Sequence, residues 1–503
     1  MPEWAALLES SALSLARMIV AYIVSVTLAV MLGSWMARSR TVERVLLPIL
    51  DILQSIPILG FFPAALLLFA RLLPGAAGLE LAAIFLITTS LVWNMIFGVY
   101  TSIKALDPSL FEMARVYRLG SAARFFYVYV PACRASLVAN SLVSWAGGWF
   151  FLTSAEVLSL GEAEYRLKGI GSFILESFSR GDQENLYAGI VMLVTVILAT
   201  YALVWNPAAA ATLNLPLLGS RSVYKYVHLA VSSLWRGLTW AALFLEARLP
   251  KAAIPGLARK VLGAFLAGAV LLALLRSYQP LPVERALETL AEFPFELLVS
   301  VTRVAAILLI SVTFSLGVAY LAHVKPFFSQ FVSLAGELLA SVPAVVWWPL
   351  LSGIALSFAW GPYAVMMVVL LQGAFWYLYF NLIIYGLASV RQDLAEMAAV
   401  YRLRGAVYFR YFFVPSLLPS LATGALSAWG GAWNASIVAE YISAGSMVFD
   451  MGGVGSMISR LAERGDSLGL VLTSLSLSLF IVFVNKTLWA RIFRFIEKRY
   501  GGE

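Results

Sequence analysis

The chain has 503 residues, of which 61% are hydrophobic and only 12% are charged, and its formal net charge is +8. Ordinary soluble domains are about 45–50% apolar and about 25% charged, so this composition excludes a soluble globular protein and indicates a membrane protein. The Lys and Arg residues lie at the ends of apolar runs and not in one stripe. This distribution indicates that they orient the chain in a lipid bilayer, and it excludes nucleic acid as the partner.

The apolar runs predict an all-α polytopic membrane protein with about eleven transmembrane helices. Each run is long enough to cross the hydrocarbon core as a helix, and the runs are continuously apolar, unlike the alternating strands of a β-barrel. In chain order the predicted spans are 13–37, 46–70, 81–103, 133–156, 186–205, 261–276, 297–322, 332–357, 361–386, 416–440 and 467–489.

An internal repeat runs through the chain. The stretch EMARVYRLGSAARFFYVYVP begins at Glu112 and EMAAVYRLRGAVYFRYFFVP begins at Glu396, and twelve of the twenty aligned positions are identical. Three further pairs keep the same order in both copies: SIPILGFFP with SVPAVVWWP, WAGGW with WGGAW, and GIGS with GVGS. We therefore predict a first transmembrane domain at 1–205, a linker with one extra span at 206–289, and a second transmembrane domain at 290–503.

The charge distribution predicts the orientation of these units. Five spans per unit is an odd number, so the extra span at 261–276 is needed to give both units the same direction. Most basic loops then fall on one side, which the positive-inside rule makes cytoplasmic, together with both glutamate-led segments and the C-terminus. The N-terminus lies outside. For residues 206–258 we favour an amphipathic helix at the membrane interface; a span with Arg236 at its centre is the alternative, although an arginine there is costly.

Each glutamate-led segment predicts two short helices on the cytoplasmic surface, with a turn at Gly120 or Gly405. Basic loops that merely set the topology are one interpretation. Such a loop has no reason to repeat Glu, Tyr, Phe and Pro in register, so two matching copies favour a surface that binds the same partner twice.

The pattern E-x-A, sixteen residues and then Pro resembles the cytoplasmic EAA loop of the permeases of binding-protein-dependent ABC importers. The ordered series of Pro-containing motif, loop, W…AE and GIGS or GVGS is most similar to the nitrate, sulfonate, taurine and bicarbonate branch of that family. The resemblance covers both units. It implies that one chain carries two fused permease domains, which together form the translocation pathway.

The resemblance also implies the partners. They are two copies of an ABC ATPase subunit, an extracellular solute-binding protein, and a small-molecule substrate such as nitrate, sulfonate or taurine. The chain itself has no G-x-x-x-x-G-K-[ST] loop and no catalytic or metal-ligand constellation, so we expect a permease without enzymatic activity or a cofactor of its own. ATP and Mg would be bound by the partner ATPase.

In the family, the repeated loops are the helices that couple the permease to the ATPase. The residues to which this role carries over are Glu112, Ala114, Tyr117, Arg118, Gly120, Glu396, Ala398, Tyr401, Arg402 and Gly405. We expect the glutamates near a helix N-terminus, the alanines at points of close approach, and the tyrosines and arginines against the partner. The family usually has glycine where Arg118 and Arg402 stand, which leaves the geometry of the turn open.

The fourth span of each unit is the predicted lining of the pathway. Its candidate residues are Trp145, Trp149, Trp429, Trp433 and Asn434. The tryptophans could instead anchor the helix at the membrane interface, and the neighbouring glycines could simply permit close helix packing. Asn434 has no counterpart in the first unit, which suggests an asymmetric small solute.

Glu156 and Glu440 end the same spans. An ionisable residue at membrane depth is a candidate functional group, but we favour a structural hydrogen bond to the Gly-rich loop that follows. An ion-coupled secondary transporter is the alternative function; it would usually show charged residues or Gly and Pro breaks within the spans. A receptor or scaffold explains the apolar spans but not the paired loops.

Overall fold

The computed structural model describes residues 3–55, 57–73, 75–117, 119–157, 167–213, 283–325, 347–387, 396–398, 400–444 and 447–500, with the single positions 225, 233, 236, 239, 240 and 328. The predicted extra span at 261–276 lies outside these residues. So do residues 214–224 and 241–258, on which the two interpretations of the linker depend, and residues 332–346 of the eighth predicted span.

The regular secondary structure in the described part of the first half is entirely helical. Its helices are α1 (Trp4–Arg38), α2 (Arg40–Ser55), α3 (Ile58–Leu72), α4 (Ala76–Lys104), α5 (Pro108–Val116), α6 (Ser121–Arg124), α7 (Val130–Val157), α8 (Ile170–Ser179), α9 (Gln183–Thr200) and α10 (Asn206–Leu213). One π-helical turn (Phe125–Tyr129) joins α6 to α7, and another (Tyr201–Trp205) joins α9 to α10.

The second half repeats this order. Its described helices are α11 (Val283–Val324), α12 (Trp347–Ser357), α13 (Gly361–Phe380), α14 (Gly405–Tyr408), α15 (Val414–Ala439), α16 (Val454–Glu463), α17 (Ser467–Val484) and α18 (Ala490–Tyr500). The π-helical turns at Phe409–Phe413 and Asn485–Trp489 stand at the positions equivalent to those of the first half. A short antiparallel hairpin of β1 (Tyr441–Ala444) and β2 (Met447–Asp450) separates α15 from α16, and the sequence did not predict it.

Eight helices in the described part of the chain are long and apolar enough to cross a membrane. They are Trp4–Arg38, Ala76–Lys104, Phe125–Glu156, Gln183–Thr212, Glu284–Val324, Gly361–Ile383, Gly405–Ala439 and Leu468–Ile496. The prediction of an all-α polytopic membrane protein with two repeats is confirmed.

The predicted second span at 46–70 is wrong as a single helix. It is divided into α2 and α3, and Pro57 stands between them with extended backbone (φ −61°, ψ 119°). Proline has no N–H to donate to the preceding turn, and its ring disfavours helical backbone in the residue before it. The run is apolar enough to suggest a span, but proline interrupts the helix within it.

Equivalent aspartates begin the last long helix of each half. The Asp182 carboxylate accepts the N–H of Asn185 at 3.1 Å, and the Asp466 carboxylate accepts the N–H of Gly469 at 2.9 Å. These bonds satisfy N–H groups that a helix start leaves without partners. Hydrogen bonds from Asn185 lower the pKa of the Asp182 carboxyl.

Small residues bring the long helices together within each half. In the second half, Gly431 of α15 lies so close to α13 that an added Cβ would be 2.3 Å from the carbonyl oxygen of Gly373. In the first half, a Cβ on Gly148 would be 2.3 Å from the Met18 side chain. Lipid tails are as apolar as the helices, so close packing of this kind drives helix association in a membrane. The close-packing interpretation is confirmed for Gly148 and Gly431, whereas a Cβ on Gly147 or Gly430 would have nothing within 4 Å.

The two halves meet through α3. This helix of the first half packs against α15 and α17 of the second half, and α2 also contacts α17. Leu59, Phe62 and Leu66 of α3 are buried in a core cluster that otherwise consists mainly of second-half residues. The Ser474 hydroxyl donates to the carbonyl oxygen of Gly60. The broken span therefore forms part of the interface between the halves.

Candidate functional site

The two repeated segments have the same backbone bond at their first turn. The N–H of Leu119 donates to the carbonyl oxygen of Ala114, and the N–H of Leu403 donates to that of Ala398, both at 3.0 Å. A bond across five residues closes a helix end in the Schellman motif. The short helix preceding each turn therefore ends in the same way in both halves.

The Schellman motif needs a left-handed residue just before the donor of this bond. In the second half that residue is Arg402, whose φ is 52°. This is the position where the family pattern usually has glycine, so the arginine adopts the conformation that glycine would supply. Gly405, the predicted turn residue, also has a positive φ of 57°. Arg118 lies outside the described residues, and Gly120 is exposed.

Three apolar side chains are exposed around the first short helix of each segment, and we call them the docking triads. The first triad is Met113, Val116 and Tyr117, and the second is Met397, Val400 and Tyr401. Both tyrosines are 72% exposed. The Glu112 and Glu396 side chains and that of Arg402 are exposed beside them. Clustered exposed apolar groups with a polar rim mark a surface that another molecule covers.

The alanines of the two segments face the other way. Ala114 is 3% exposed and Ala398 is 2% exposed. Ala398 belongs to a core cluster with Leu382 and Phe413 of the same half. The close approach that these alanines permit is therefore with helices of this chain, and they hold the short helices against the membrane domain.

The carboxylate at the start of α5, the first short helix of the repeated segment, is not that of Glu112. The Asp107 carboxylate precedes α5 and accepts the N–H of Ser109 at 2.8 Å. This bond, with the Ser109 hydroxyl, lowers the pKa of the Asp107 carboxyl. Glu112 lies more than one turn further on and is exposed, so the position expected for it belongs to Asp107 in this half.

A second contact holds the chain just before this helix. Lys104 at the end of α4 donates to the Glu43 carboxylate of α2 at 2.6 Å, and the Tyr100 hydroxyl donates to the same carboxylate at 2.7 Å. The hydrogen bonds from Lys104 and Tyr100 lower the pKa of Glu43. The contact joins the entry to α5 to the first part of the broken span.

The four predicted pathway tryptophans are buried in the helix cores. Trp145 and Trp149 make an edge-to-face contact with ring centroids 6.4 Å apart, and Trp429 and Trp433 make the equivalent contact at 5.6 Å. The Trp145 indole donates to Thr200 at 3.2 Å. The other three indole N–H groups have no hydrogen-bond partner among the described residues. Trp145 and Trp149 pack in a core cluster of the first half, and Trp429 and Trp433 pack in the core cluster that includes the interface between the halves.

Asn434 lies where the two halves meet. Its side-chain carbonyl accepts a long hydrogen bond of 3.4 Å from the N–H of Leu59, in the first turn of α3, and its amide donates to Gly430 at 3.1 Å. Phe150 stands at the equivalent position in the first half and packs against the interface cluster. The asymmetry expected from the sequence therefore falls on the interface between the halves.

A buried polar cluster joins four helices in the first half. The fully buried Glu156 carboxylate accepts the hydroxyl of Ser14 at 2.6 Å, the guanidinium of Arg17 at 2.8 Å and the N–H of Gly171 at 2.8 Å. Arg17 also donates to Glu80 of α4 at 2.6 and 2.7 Å. These bonds join α1, α4, α7 and the start of α8, and the guanidinium lies between two carboxylates.

The second half has an equivalent cluster. The Glu440 carboxylate accepts the hydroxyl of Ser300 at 2.8 and 2.9 Å, the guanidinium of Arg303 at 3.2 Å and the N–H of Gly455 at 2.8 Å. Here Arg303 lacks the equivalent of Glu80 and donates instead to the backbone carbonyls of residues 451 and 452 at 2.6 Å. The structural interpretation of Glu156 and Glu440 is confirmed.

The same clusters explain the repeated Gly-rich motif. A Cβ on Gly169 would lie 2.1 Å from the Glu156 carboxylate, and one on Gly453 would lie 2.5 Å from that of Glu440. A Cβ on Gly171 would approach the Thr153 carbonyl oxygen at 2.8 Å. Both glycines of GIGS therefore leave room for a buried carboxylate and the end of the preceding helix.

The repeat of helices, turns and buried clusters can now be compared with known proteins. The model of the family described as "Binding-protein-dependent transport system inner membrane component" matches residues 26–206 and 311–499. These two ranges cover more than half of the chain, and each falls in one half. The chain belongs to this family. It therefore carries two copies of a binding-protein-dependent permease component, as the resemblance of the repeated motifs implied.

Several permeases are similar to parts of this one. The nitrate import permease protein NrtB of Leptolyngbya laminosa is 26% identical over 193 residues, which are 38% of this chain and 64% of NrtB. The bicarbonate transport system permease protein CmpB of Synechococcus elongatus is 24% identical over 184 residues, 37% of this chain and 60% of CmpB. The protein SsuC of Bacillus subtilis, assigned to aliphatic sulfonates transport, is 23% identical over 184 residues, 37% of this chain and 62% of SsuC. Each match covers less than two thirds of the relative's length.

The residues that the sequence analysis missed are the two arginines of the buried clusters. Arg17 and Arg303 occupy equivalent positions in the repeat, three residues after Ser14 and Ser300. An arginine repeated within an apolar run was the signal, because a buried charge requires a partner. In this permease the partner is the glutamate of the fourth span in each half.

Proposed function

We propose that this chain forms the whole membrane pathway of an ATP-driven importer for a small anion. Two copies of a partner ATPase bind the docking triads. They also bind ATP and Mg, and they drive the movement of the two halves. An extracellular solute-binding protein delivers the substrate. The permease itself catalyses no reaction.

The observation that carries the proposal is the matched pair of docking triads. Each triad lies on a short helix whose alanine is buried against the membrane domain, so the helix is held rigidly on one face and exposed on the other. A helix of this kind can transmit movement from a partner to the membrane domain. Because both halves present the same surface, the same partner can bind twice.

The proposal for the substrate is supported by the relatives, whose names refer to nitrate, bicarbonate and aliphatic sulfonates. These solutes are small anions. Asn434 at the interface between the halves is the residue that we propose to contact the solute or close its path, with the buried tryptophans shaping the helices behind it. The asymmetry between Asn434 and Phe150 would let a single solute bind in one orientation.

The docking proposal is tested by variants of the exposed tyrosines. The double variant Tyr117→Ser/Tyr401→Ser should lose co-purification of the ATPase that the unmodified chain recovers, and should lose ATP-dependent uptake in proteoliposomes. The matched control is Tyr127→Ser/Tyr411→Ser, since these tyrosines are also repeated and exposed. The control should retain both.

Two results would overturn the docking proposal. If both double variants keep the ATPase and uptake at unmodified levels, the triads are not the docking surface. If the unmodified chain recovers no ATPase and its uptake follows an ion gradient without ATP, the secondary-transporter alternative is correct.

The pathway proposal is tested with Asn434→Leu. This variant should lower the initial rate of anion uptake by about tenfold, the loss expected when one polar contact is removed. Phe150→Leu, at the equivalent position of the first half, is the control and should change uptake little. Assays with nitrate, bicarbonate and taurine would identify the solute, and equal rates for Asn434→Leu and the unmodified chain would remove Asn434 from the pathway.

The proposed orientation has its own test. In a Cys133→Ser background, a cysteine at Glu3 should react with an impermeant thiol reagent from outside, and a cysteine at Gly502 only from the cytoplasmic side. Labelling of both from one side would contradict the orientation derived from the charges.

A further inference from the structure

The last helix of the chain extends beyond the membrane core. Asp466 caps α17 at Ser467, and the helix runs on through a π-helical turn into α18. At about 1.5 Å per residue, the distance from Ser467 to Arg491 is about 36 Å, compared with about 30 Å for the hydrocarbon core and about 40–45 Å for the whole bilayer. The first turn of α18 is therefore placed in the headgroup layer of one leaflet.

The exposed side of α18 is basic. Arg491, Arg494, Lys498 and Arg499 are all exposed, and the helix contains one acid, Glu497. Among the described residues no carboxylate pairs with these four cations; Arg494 donates to the backbone of Ala490, and Arg499 lies over the Phe495 ring. In the first half the equivalent helix α10 has the sequence NPAAAATL, without any charge. The basic surface thus belongs to the second half alone.

An apolar groove of about 380 Å³ lies beside this basic surface. It is shallow and mostly open, and its lining residues are Leu418 of α15 together with Arg491, Ile492, Phe495 and Ile496 of α18. Ile496 is buried against the membrane domain, whereas Phe495 is exposed. Leu418 stands near the start of α15, so the groove lies at the same end of the second half as its docking triad. Arg491 is the one cationic residue among those that line the groove, and the surface of the groove itself is apolar.

We propose that this groove binds one anionic phospholipid, with the phosphate on Arg491 and an acyl chain between Leu418 and Phe495. The groove supplies apolar walls at the depth where the acyl chains join the headgroups, and the exposed Arg491 supplies a cation beside it. Basic residues immediately beyond a membrane helix attract anionic lipids. An exposed phenylalanine and a shallow, mostly open apolar groove beside a membrane helix suit a lipid chain, which reaches them without leaving the bilayer.

The charge pattern favours a lipid over the ATPase as the occupant. Each half has its own docking triad for the ATPase, and the two triads are alike. Among the described residues the basic groove is found in the second half only, so a partner that binds both halves equally does not require it. Lipids surround the whole protein, so a lipid can bind to a site that is present in one half alone.

The test measures lipid binding to the purified full-length chain by native mass spectrometry, with phosphatidylglycerol and phosphatidylcholine as probes. One basic residue near an anionic membrane surface contributes about fivefold in affinity. The triple variant Arg491→Gln/Arg494→Gln/Lys498→Gln should therefore bind phosphatidylglycerol at least about tenfold more weakly. Its matched control, Lys168→Gln/Arg180→Gln/Arg464→Gln, loses the same charge at exposed positions far from the groove and should bind as the unmodified chain does.

A second variant separates the groove from the charge. Leu418→Trp fills the groove and should weaken the binding of both lipids, with all basic residues in place. Inorganic phosphate should not compete with phosphatidylglycerol, because the proposal requires the acyl chain. Conservative Arg491→Lys should keep most of the binding.

Three results would overturn the proposal. An equal loss of phosphatidylglycerol binding in the triple variant and in its control would show a general effect of net charge. Unchanged phosphatidylglycerol binding in both the triple variant and Leu418→Trp would remove the site. Loss of the ATPase from the triple variant with lipid binding intact would assign the surface to the ATPase, and this outcome is distinct from failure of the tyrosine variants above.

Discussion

Replacing Arg17 with leucine tests how strongly the buried cluster holds the first half together. The Arg17 guanidinium lies 2.8 Å from Glu156 and 2.6 Å from Glu80, and Glu156 is fully buried. The variant leaves the Glu156 carboxylate without its cation. Breaking a buried ion pair by removing one partner costs about 3–5 kcal/mol. At about 2–4 °C per kcal/mol for a domain of 150–250 residues, Tm should fall by roughly 6–20 °C.

The matched control is an ion pair of similar length on the surface. Lys168 lies 2.6 Å from Glu9, but their side chains are 54% and 58% exposed. An exposed pair contributes at most about 1 kcal/mol, so Lys168→Leu should lower Tm by less than about 4 °C. The two variants remove contacts of nearly equal length, and they differ in burial and in the number of carboxylates that the cation contacts, two for Arg17 and one for Lys168.

The double variant Arg17→Leu/Glu156→Leu completes the experiment. Removing both charges avoids the unpaired buried carboxylate, so the double variant should be more stable than the sum of the single losses, with a coupling energy of at least about 1 kcal/mol. The assay is size-exclusion chromatography of the detergent-solubilised chain after heating. If Arg17→Leu and Lys168→Leu shift Tm equally, burial of the cluster does not carry the stability that we assign to it.

Three further outcomes are expected in the same assay. Gly455→Ala should lower Tm by several degrees because its Cβ would lie 2.6 Å from the Ser436 carbonyl oxygen, whereas Gly147→Ala, with no atom within 4 Å, should not lower it. Arg402→Gly should stabilise the chain by roughly 1 kcal/mol by relieving the left-handed arginine; a lower Tm would show that the side chain makes a needed contact. The pKa of Glu43 is lowered from 4.5, so its contact with Lys104 stabilises the fold above that pH and is lost as the pH falls below it. Glu43→Gln should therefore remove this acid-dependent part of the change in Tm. A variant whose Tm depends on pH as that of the unmodified chain does would contradict the assignment.

Much of the fold could be predicted because its signals are local. Runs of apolar residues and their flanking charges depend on the nearest neighbours in the chain, and a repeated sequence implies a repeated structure. The two repeated segments that begin at Glu112 and Glu396 were predicted in this way. The π-helical turns and the β hairpin were not predicted, since no simple period in the sequence distinguishes them from the adjoining helices.

The surroundings of the candidate site residues could not be predicted from the sequence. Ala114 and Ala398 were expected at points of close approach, and the structure shows that the groups they approach are the chain's own helices. The pattern E-x-A indicates that a small residue is required, but it does not indicate which neighbouring surface that residue contacts. In the first half, the helix start expected for Glu112 is occupied by Asp107, because the helix begins one turn earlier than the motif.

The sequence by itself determined the class of protein, the repeat and the family, because hydropathy and motif order require no knowledge of distant contacts. Only the tertiary structure decided that Arg17 pairs with Glu156 and Arg303 with Glu440, and that the glycines of GIGS and GVGS leave room for those carboxylates. The partners of each pair lie more than a hundred residues apart in the chain. The energy of a buried charge depends on which groups surround it in space, and that is set by how the helices pack.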